Sequence, residues 1–334
     1  MIKAFARSCL PTKQQAFLRQ RLNVIRAGKE YSKDKARFLQ ASSAAQLPLE
    51  QGRLTAHLTM DYHRLEKGMA LPNTRIGFGK DVIKRLLSNL AQYTERFGQD
   101  ELTRIVHGVL RQYQTRQAAL GFANPALDAA LDQMRQTHAD PAVSCGVTPL
   151  PLADLFAVDE AAGQQFLESR HSVRQYTGEL VSDAQIARIA EIAQRAPSVC
   201  NRQCGRLYVA NTRERIAEVL SYQNGNGGFG DRLGAVFIVT ADLRSFVSLG
   251  ERHQGYVDGG IFAMQTLLAI HSLHLGGCML NWSMTHHDDE RLRAAFGIPA
   301  HEVVITMIGF GHCVAAPEIA VSPRIALSEV LKPL

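Results

Sequence analysis

The chain of 334 residues is 46% hydrophobic and 20% charged, which provides for more than one packed core and excludes a disordered or fibrous protein. No run approaches the roughly 20 apolar residues of a membrane helix, and the opening MIKAFARSCLPTKQQ lacks the apolar stretch of a signal peptide, so a soluble cytoplasmic protein is expected. The net charge of +6 divides unevenly, with 22 Lys+Arg against 12 Asp+Glu in residues 1–150 and 15 against 19 in residues 151–334, but the basic half holds no nucleic-acid motif and its charges are spread out, so it reads as solvated helical surface.

The first half reads as helical. DVIKRLLSNLAQYTERFG (81–98) and ELTRIVHGVLRQYQTRQAALG (101–121) place apolar residues at helical spacing, and Gly98 and Gly121 fall where C-terminal caps belong. Before them, DYHRLEKGMALPNTRIGFG (61–79) carries Pro72, Asn73, Gly77 and Gly79 and is expected to be an ordered loop. THADPAVSCGVTPLPLADL (138–155) has three prolines and little periodicity and is expected to be a linker. The predicted division is a basic, mainly helical domain over 1–155 and a second domain over 156–334.

The second half alternates. Ser182 and Gln185 form a capping box for the helix DAQIARIAEIAQRA. Strands are expected at 206–211, 234–242, 277–283 and 302–311, with helices at 212–223, near 255–274 and at 287–297. That is an α+β pattern, a sheet flanked by helices behind a mostly α-helical N-terminal domain. The six cysteines are scattered, without a C-x-x-C pair or zinc spacing, so reduced thiols and no metal are expected.

GNGGFG (225–230) matches G-x-G-x-x-G letter for letter, but it follows a helix and precedes a strand, the reverse of the dinucleotide-binding context, and reads as a flexible loop. ESRHSVRQYTGEL (168–180) is more informative. Arg170, His171, Ser172 and Arg174 gather charge-assisted donors and a hydroxyl in five positions, chemistry suited to a phosphate or the polar edge of a heterocycle. Alone, such a cluster is more often a solvated turn.

Downstream, RAPSVCNRQCGRLYV (195–209) places Pro197, Ser198, Asn201 and Gln203 before a strand. The two segments together resemble the nitroreductase-like FMN flavoprotein family, with its Arg-[Arg/His]-Ser-x-[Arg/Lys] element followed by Ala-Pro-Ser-x-x-Asn-x-Gln-Pro-Trp and a strand. DGGIFAMQTLLAIHSLHLGGCMLNW (258–282), LRAAFGIPAHEVVITMIGFGH and SPRIALSEVL are similar to further family segments in the same order, over about 165–334.

The resemblance implies a nitroreductase-like mixed sheet, FMN as cofactor, NAD(P)H as electron donor and a homodimer. It implies FMN contacts from Arg170, His171, Ser172 and Arg174, with Arg324 completing the phosphate clamp. A cation near flavin N1 and O2 would stabilise the negative charge that develops there after hydride uptake. Pro197, Ser198, Asn201 and Gln203 would reach the flavin from the other subunit, and Met279, Leu280 and Asn281 would line the ring near N5. Cys204–Gly205 replaces the usual Pro-Trp, which suggests a roomier site, and a catalytic role for the Cys204 thiol is weighed against a buried filler. Trp282 stands either against substrate or in the core. In the N-terminal half, His63 and Arg75 are candidates, with Asn281, for acid–base or substrate contacts, against an internal ion-pair cluster. The N-terminal extension resembles, less specifically, that of nitroreductase-like proteins of surface-polysaccharide biosynthesis.

The activity implied is hydride transfer from NAD(P)H through FMN to a small electron-poor acceptor. Two alternatives stand beside it. One is an FMN-dependent dehydrogenase or oxidase of a specific anionic metabolite, sugar-linked ones included, of polysaccharide biosynthesis. The other is a non-catalytic flavin-binding scaffold.

Overall fold

The computed structural model describes residues 12–135 and 140–333; Cys9 lies outside them. The N-terminal region holds α1 (Thr12–Ala41), α2 (Gln51–Met69), α3 (Lys80–Phe97), α4 (Glu101–Ala119) and α5 (Pro125–Arg135). Leu54, Leu58 and Leu65 of α2, Leu86 and Leu90 of α3, Val106 and Leu110 of α4, and Leu131 of α5 recur at helical spacing and close one hydrophobic core. Asp100 caps α4 in a capping box with Thr103 and also accepts from the Tyr93 hydroxyl at 2.6 Å, which ties the α3–α4 turn to both helices.

The expected loop over 61–79 is corrected. Residues 61–69 are the last turns of α2, and only 70–79 is irregular. Leu54, Leu58, Leu65 and Met69 carry the helical period through the segment, and burial of that stripe outweighs the turn-forming residues that begin at Pro72. Gly77 has φ +64°, and a Cβ there would lie 2.6 Å from the Phe122 ring, so the turn requires glycine.

Beyond the irregular 140–151 segment come α6 (Leu152–Leu155), α7 (Glu160–Glu168), α8 (Asp183–Ala193), β1 (Gly205–Ala210), α9 (Arg213–Leu220), β2 (Ala235–Asp242), α10 (Gln254–Ser272), β3 (Gly276–Asn281), α11 (His286–Phe296), β4 (Glu302–Gly311) and α12 (Leu327–Val330). The sheet order is β1-β2-β4-β3, each neighbouring pair antiparallel, so β1 and β3 form opposite edges. Every residue of β2 is buried, as a central strand covered on both faces requires. α10 lies close to the sheet: a Cβ at Gly259 would sit 2.6 Å from Ile305. Ala263, Leu267 and Ile270 of α10 pack in one cluster with Phe237, Val239 and Phe310.

The helical region joins the sheet at two places. Phe38 and Ala41 of α1 pack with Ala241, Leu243, Phe246 and Val303, and Arg244 bridges Glu50 at 2.8 Å to Asp242 at 2.7 Å. Helix α2 packs against the 199–201 turn that precedes β1. No helix among the described residues is long and apolar enough to cross a membrane.

Candidate functional site

The RHSVR segment runs beside the edge strand β3. Ser172 forms a parallel bridge with Gly277, and the Val173 amide donates to the Gly277 carbonyl at 3.2 Å. Gly276 of β3 allows this approach: a Cβ there would lie 2.4 Å from Cys313 Sγ and 3.0 Å from Val173 Cβ. Val173 and Tyr176 turn into the core, where the Tyr176 hydroxyl donates to the Val173 carbonyl at 2.7 Å. Arg170 is left half-buried and His171 and Arg174 exposed. Among the described residues neither arginine is paired with a carboxylate. The field is positive enough to be felt nearby: burial first, then Arg170, His274 and His171, lower the pKa of His271. Unpaired guanidiniums around a half-buried serine are a donor set that fits an anionic group such as the FMN phosphate.

Along β3 the three candidates divide. Leu280 is in the core and only its backbone can face a ligand; its carbonyl already accepts from Thr306 Oγ1 at 3.0 Å. Met279 is half-buried, and Asn281 is exposed, its carbonyl accepting from Gln223 Nε2 at 3.1 Å.

Pro197, Ser198, Asn201 and Gln203 lie at the opposite edge, where the chain enters β1, so the structure does not bring them to the RHSVR group within one chain. The turn is tightly specified. Cys200, Asn201 and Gln203 all have left-handed backbone, with φ of 50°, 55° and 47°. The Val199 amide donates to Asp258 Oδ2 at 3.0 Å, and the Gln203 amide to Ser198 Oγ at 2.9 Å. Arg202, with a side chain 0% exposed, donates from Nε to the Val199 carbonyl at 3.1 Å and forks onto both oxygens of Glu251 at 2.5 and 3.2 Å. Helix α2, which carries the buried Tyr62, packs against this turn. A cavity of about 450 Å³ opens beside the turn, lined in part by Pro197, Ser198, Gln203, Asp258 and Phe262.

Cys204–Gly205, where the resemblance has Pro-Trp, lies on this cavity. A Cβ on Gly205 would fall 2.4 Å from the Phe262 ring, so phenylalanine from α10 occupies the space that a side chain at 205 would need. Cys204 is 1% exposed, and burial first, then Asp258, pushes its thiol up to about 12. The thiolate is the reactive form, so Cys204 should resist iodoacetamide at neutral pH while half-buried Cys200 is modified. Peptide mass mapping checks this, and a Cys204 adduct forming as fast as the Cys200 adduct would contradict it.

The remaining candidates stand apart. Arg324 is exposed beyond β4, with its guanidinium donating to the Ser322 carbonyl. His63 lies on α2 with Nδ1 3.0 Å from Glu66, whose other oxygen accepts from the Gly146 amide at 2.9 Å. Arg75 is exposed in the 70–79 loop, its carbonyl accepting from Gln117 at 3.4 Å. Sequence reasoning missed the Arg202–Glu251 brace and the packing of α2 on the 199–201 turn. The only signal for either was the position of Arg202 inside the 197–203 motif.

Comparison with known proteins matches residues 167–312 to the Nitroreductase family. No curated protein matches the chain. Among solved structures, a nitroreductase candidate of Desulfovibrio desulfuricans in complex with FMN is 26% identical, with a TM-score of 0.45 over 51% of this chain and 96% of its own. An FMN-dependent nitroreductase of Clostridium difficile is 21% identical, with a TM-score of 0.41 over 48% and 92%. A nitroreductase family protein of the same species is 21% identical, with a TM-score of 0.43 over 50% and 95%. The match over 167–312 identifies a nitroreductase-like α+β core, preceded here by a helical N-terminal region.

Proposed function

We propose that this chain, nitroreductase-like over residues 167–312, is an FMN-dependent oxidoreductase that passes hydride from NAD(P)H to a small electron-poor acceptor. The observation that carries the reading is the coincidence of that family match with unpaired Arg170 and Arg174 beside β3. Bound FMN would supply hydride acceptance and release at one ring position. The chain's part is binding and orientation. Arg170, His171, Ser172 and Arg174 hold the anionic parts of the cofactor, and Met279, Asn281 and the Leu280 backbone border its ring. His63 is committed to Glu66, so Asn281 is the retained candidate for contact with the reacting atoms.

A homodimer completes this arrangement. The two donor groups occupy opposite edges of one sheet, so a single flavin can meet both only if Pro197, Ser198, Asn201 and Gln203 come from a second copy. Helix α10 supports that assembly with Tyr256, Val257, Ile261 and Met264, large apolar side chains exposed along one helix. Arg324, in an exposed segment, would join the phosphate contacts only on assembly. The proposed division keeps 156–334 as the flavin-binding domain and 1–155 as a helical domain upon it.

One observation favours a second reading. The N-terminal helices pack on α11, next to this chain's proposed ring site, and on the 199–201 turn, which the proposed dimer carries to the partner's flavin, and such a cover suits a dehydrogenase selective for one anionic metabolite. An absorbance spectrum before and after anaerobic NADPH separates the readings. Flavin bands that bleach are expected. Bands that persist would transfer the donor role to a metabolite, and a protein without flavin even after FMN is added would overturn both.

A further inference from the structure

The N-terminal helix α1 reaches the end of β3 through one carboxylate. Asp289, on α11, accepts from Arg37 of α1 at 2.7 Å on Oδ2 and from the indole Nε1 of Trp282 at 3.2 Å on Oδ1. Both its oxygens are engaged, so the carboxylate cannot turn without losing one partner. Arg293 stands 3.7 Å from Oδ2 and is itself spent on the carbonyls of Pro299 and Glu302. Around this contact α1 meets the first turn of α11 again at His286: its amide donates to Glu30 at 2.8 Å, its Nε2 lies 2.9 Å from Asp34, and its Nδ1 lies 3.4 Å from Arg37 itself.

The pair is nearly buried, with side chains 13% and 11% exposed. A buried ion pair returns little net stability relative to apolar packing. What it provides here is direction, because Arg37 fixes Asp289 and Asp289 fixes the indole. Trp282 directly follows Asn281, the last residue of β3, and its ring packs on the sheet-side core rather than standing free. Holding that ring therefore holds the Asn281–Trp282 peptide.

We propose that Arg37 is a positioning residue for the flavin site: acting through Asp289 and Trp282, it sets the backbone at the end of β3, so that the N-terminal helix governs the geometry of the ring-facing edge. This rests on the reading of β3 as that edge. It gives the extension a role in the redox site that requires no direct contact with flavin or substrate.

Trp282 is the only tryptophan of the chain, so its emission reports on the relay alone. In flavin-free protein, Arg37→Met should shift the emission to longer wavelength as the indole loses its fixed acceptor, and Arg37→Lys should retain most of the native spectrum. FMN affinity should fall by roughly three- to tenfold in Arg37→Met, the worth of about one hydrogen bond. In a Trp282→Phe background the same replacement should add little further loss, as a shared pathway requires. Far-ultraviolet circular dichroism checks that each variant is folded, and Arg37→Gln, which is too short to reach Asp289 and is read in the same way, replaces Arg37→Met if that variant is not. Unchanged emission in folded Arg37→Met overturns the relay. An equal FMN loss in both backgrounds overturns the route through Trp282. If the native protein takes up no FMN, the flavin reading fails separately, and the emission shift alone upholds or overturns the link between Arg37 and Trp282.

Discussion

Alanine at both Arg170 and Arg174 is expected to weaken FMN binding by roughly 10²–10⁴-fold while leaving the melting temperature nearly unchanged. Each guanidinium would give the cofactor a charge-assisted hydrogen bond worth about 1.5–3 kcal/mol, and the two losses together set the range. The fold should tolerate the change because neither side chain is paired with a carboxylate among the described residues, and the inward anchors of the segment are Val173 and Tyr176. Fluorescence titration with FMN at two salt concentrations is the measurement. Native affinity should fall as salt rises, and the double variant should have lost most of that dependence. Relief of the positive field should also raise the His271 pKa toward its ordinary value, a shift that proton resonance titration can follow without flavin. An FMN affinity within threefold of native would mean that RHSVR is a solvated turn and that the anion site lies elsewhere.

Such a result would test the part of the site that local patterns made legible. Val173 and Tyr176 are the buried apolar positions in an otherwise polar run, and Gly276 of β3 marks a close approach to Val173. The four strands were legible for the same reason: continuous apolar runs bounded by turns, with β2 unbroken because both its faces are covered. The Ser182–Gln185 capping box marked the start of α8 because its hydrogen bonds span three residues. Helix α2 was obscured at its end, where proline and glycine further along drew the boundary back into a segment that the buried leucine stripe keeps helical.

Long-range pairing was not legible. Arg37 and Asp289 are separated by 252 positions, and nothing in the neighbourhood of either marks it for a buried contact. Arg202 reads locally as one more cation in a polar loop, yet its side chain is 0% exposed because Glu251, 49 positions away, comes to meet it. Nor could sequence order reveal that the two halves of the flavin signature lie on opposite sheet edges. That depends on β4 pairing between β2 and β3, a topological fact with no local sign.

Removing the partner of Arg202 should have the largest effect on the second half of the site. Burial alone would raise the Glu251 carboxyl, but the Arg202 guanidinium and the Val247 amide outweigh it and hold it below its ordinary value. Glu251→Ala would leave the Arg202 charge inside with the Val199 carbonyl as its remaining described hydrogen bond, at a cost of about 3–5 kcal/mol. Unfolding by urea should register that loss, with Glu251→Gln much milder because an acceptor remains. FMN affinity should drop as well, since the left-handed turn of Cys200, Asn201 and Gln203 is held by this brace. The double replacement Arg202→Met with Glu251→Leu separates the two effects. Apolar packing should restore most of the stability, whereas the turn, deprived of the hydrogen bond to Val199, should still present Asn201 and Gln203 poorly. Stability and flavin affinity that recover together would instead make the 197–203 turn a structural element only, and the flavin would then be held entirely from the β3 edge.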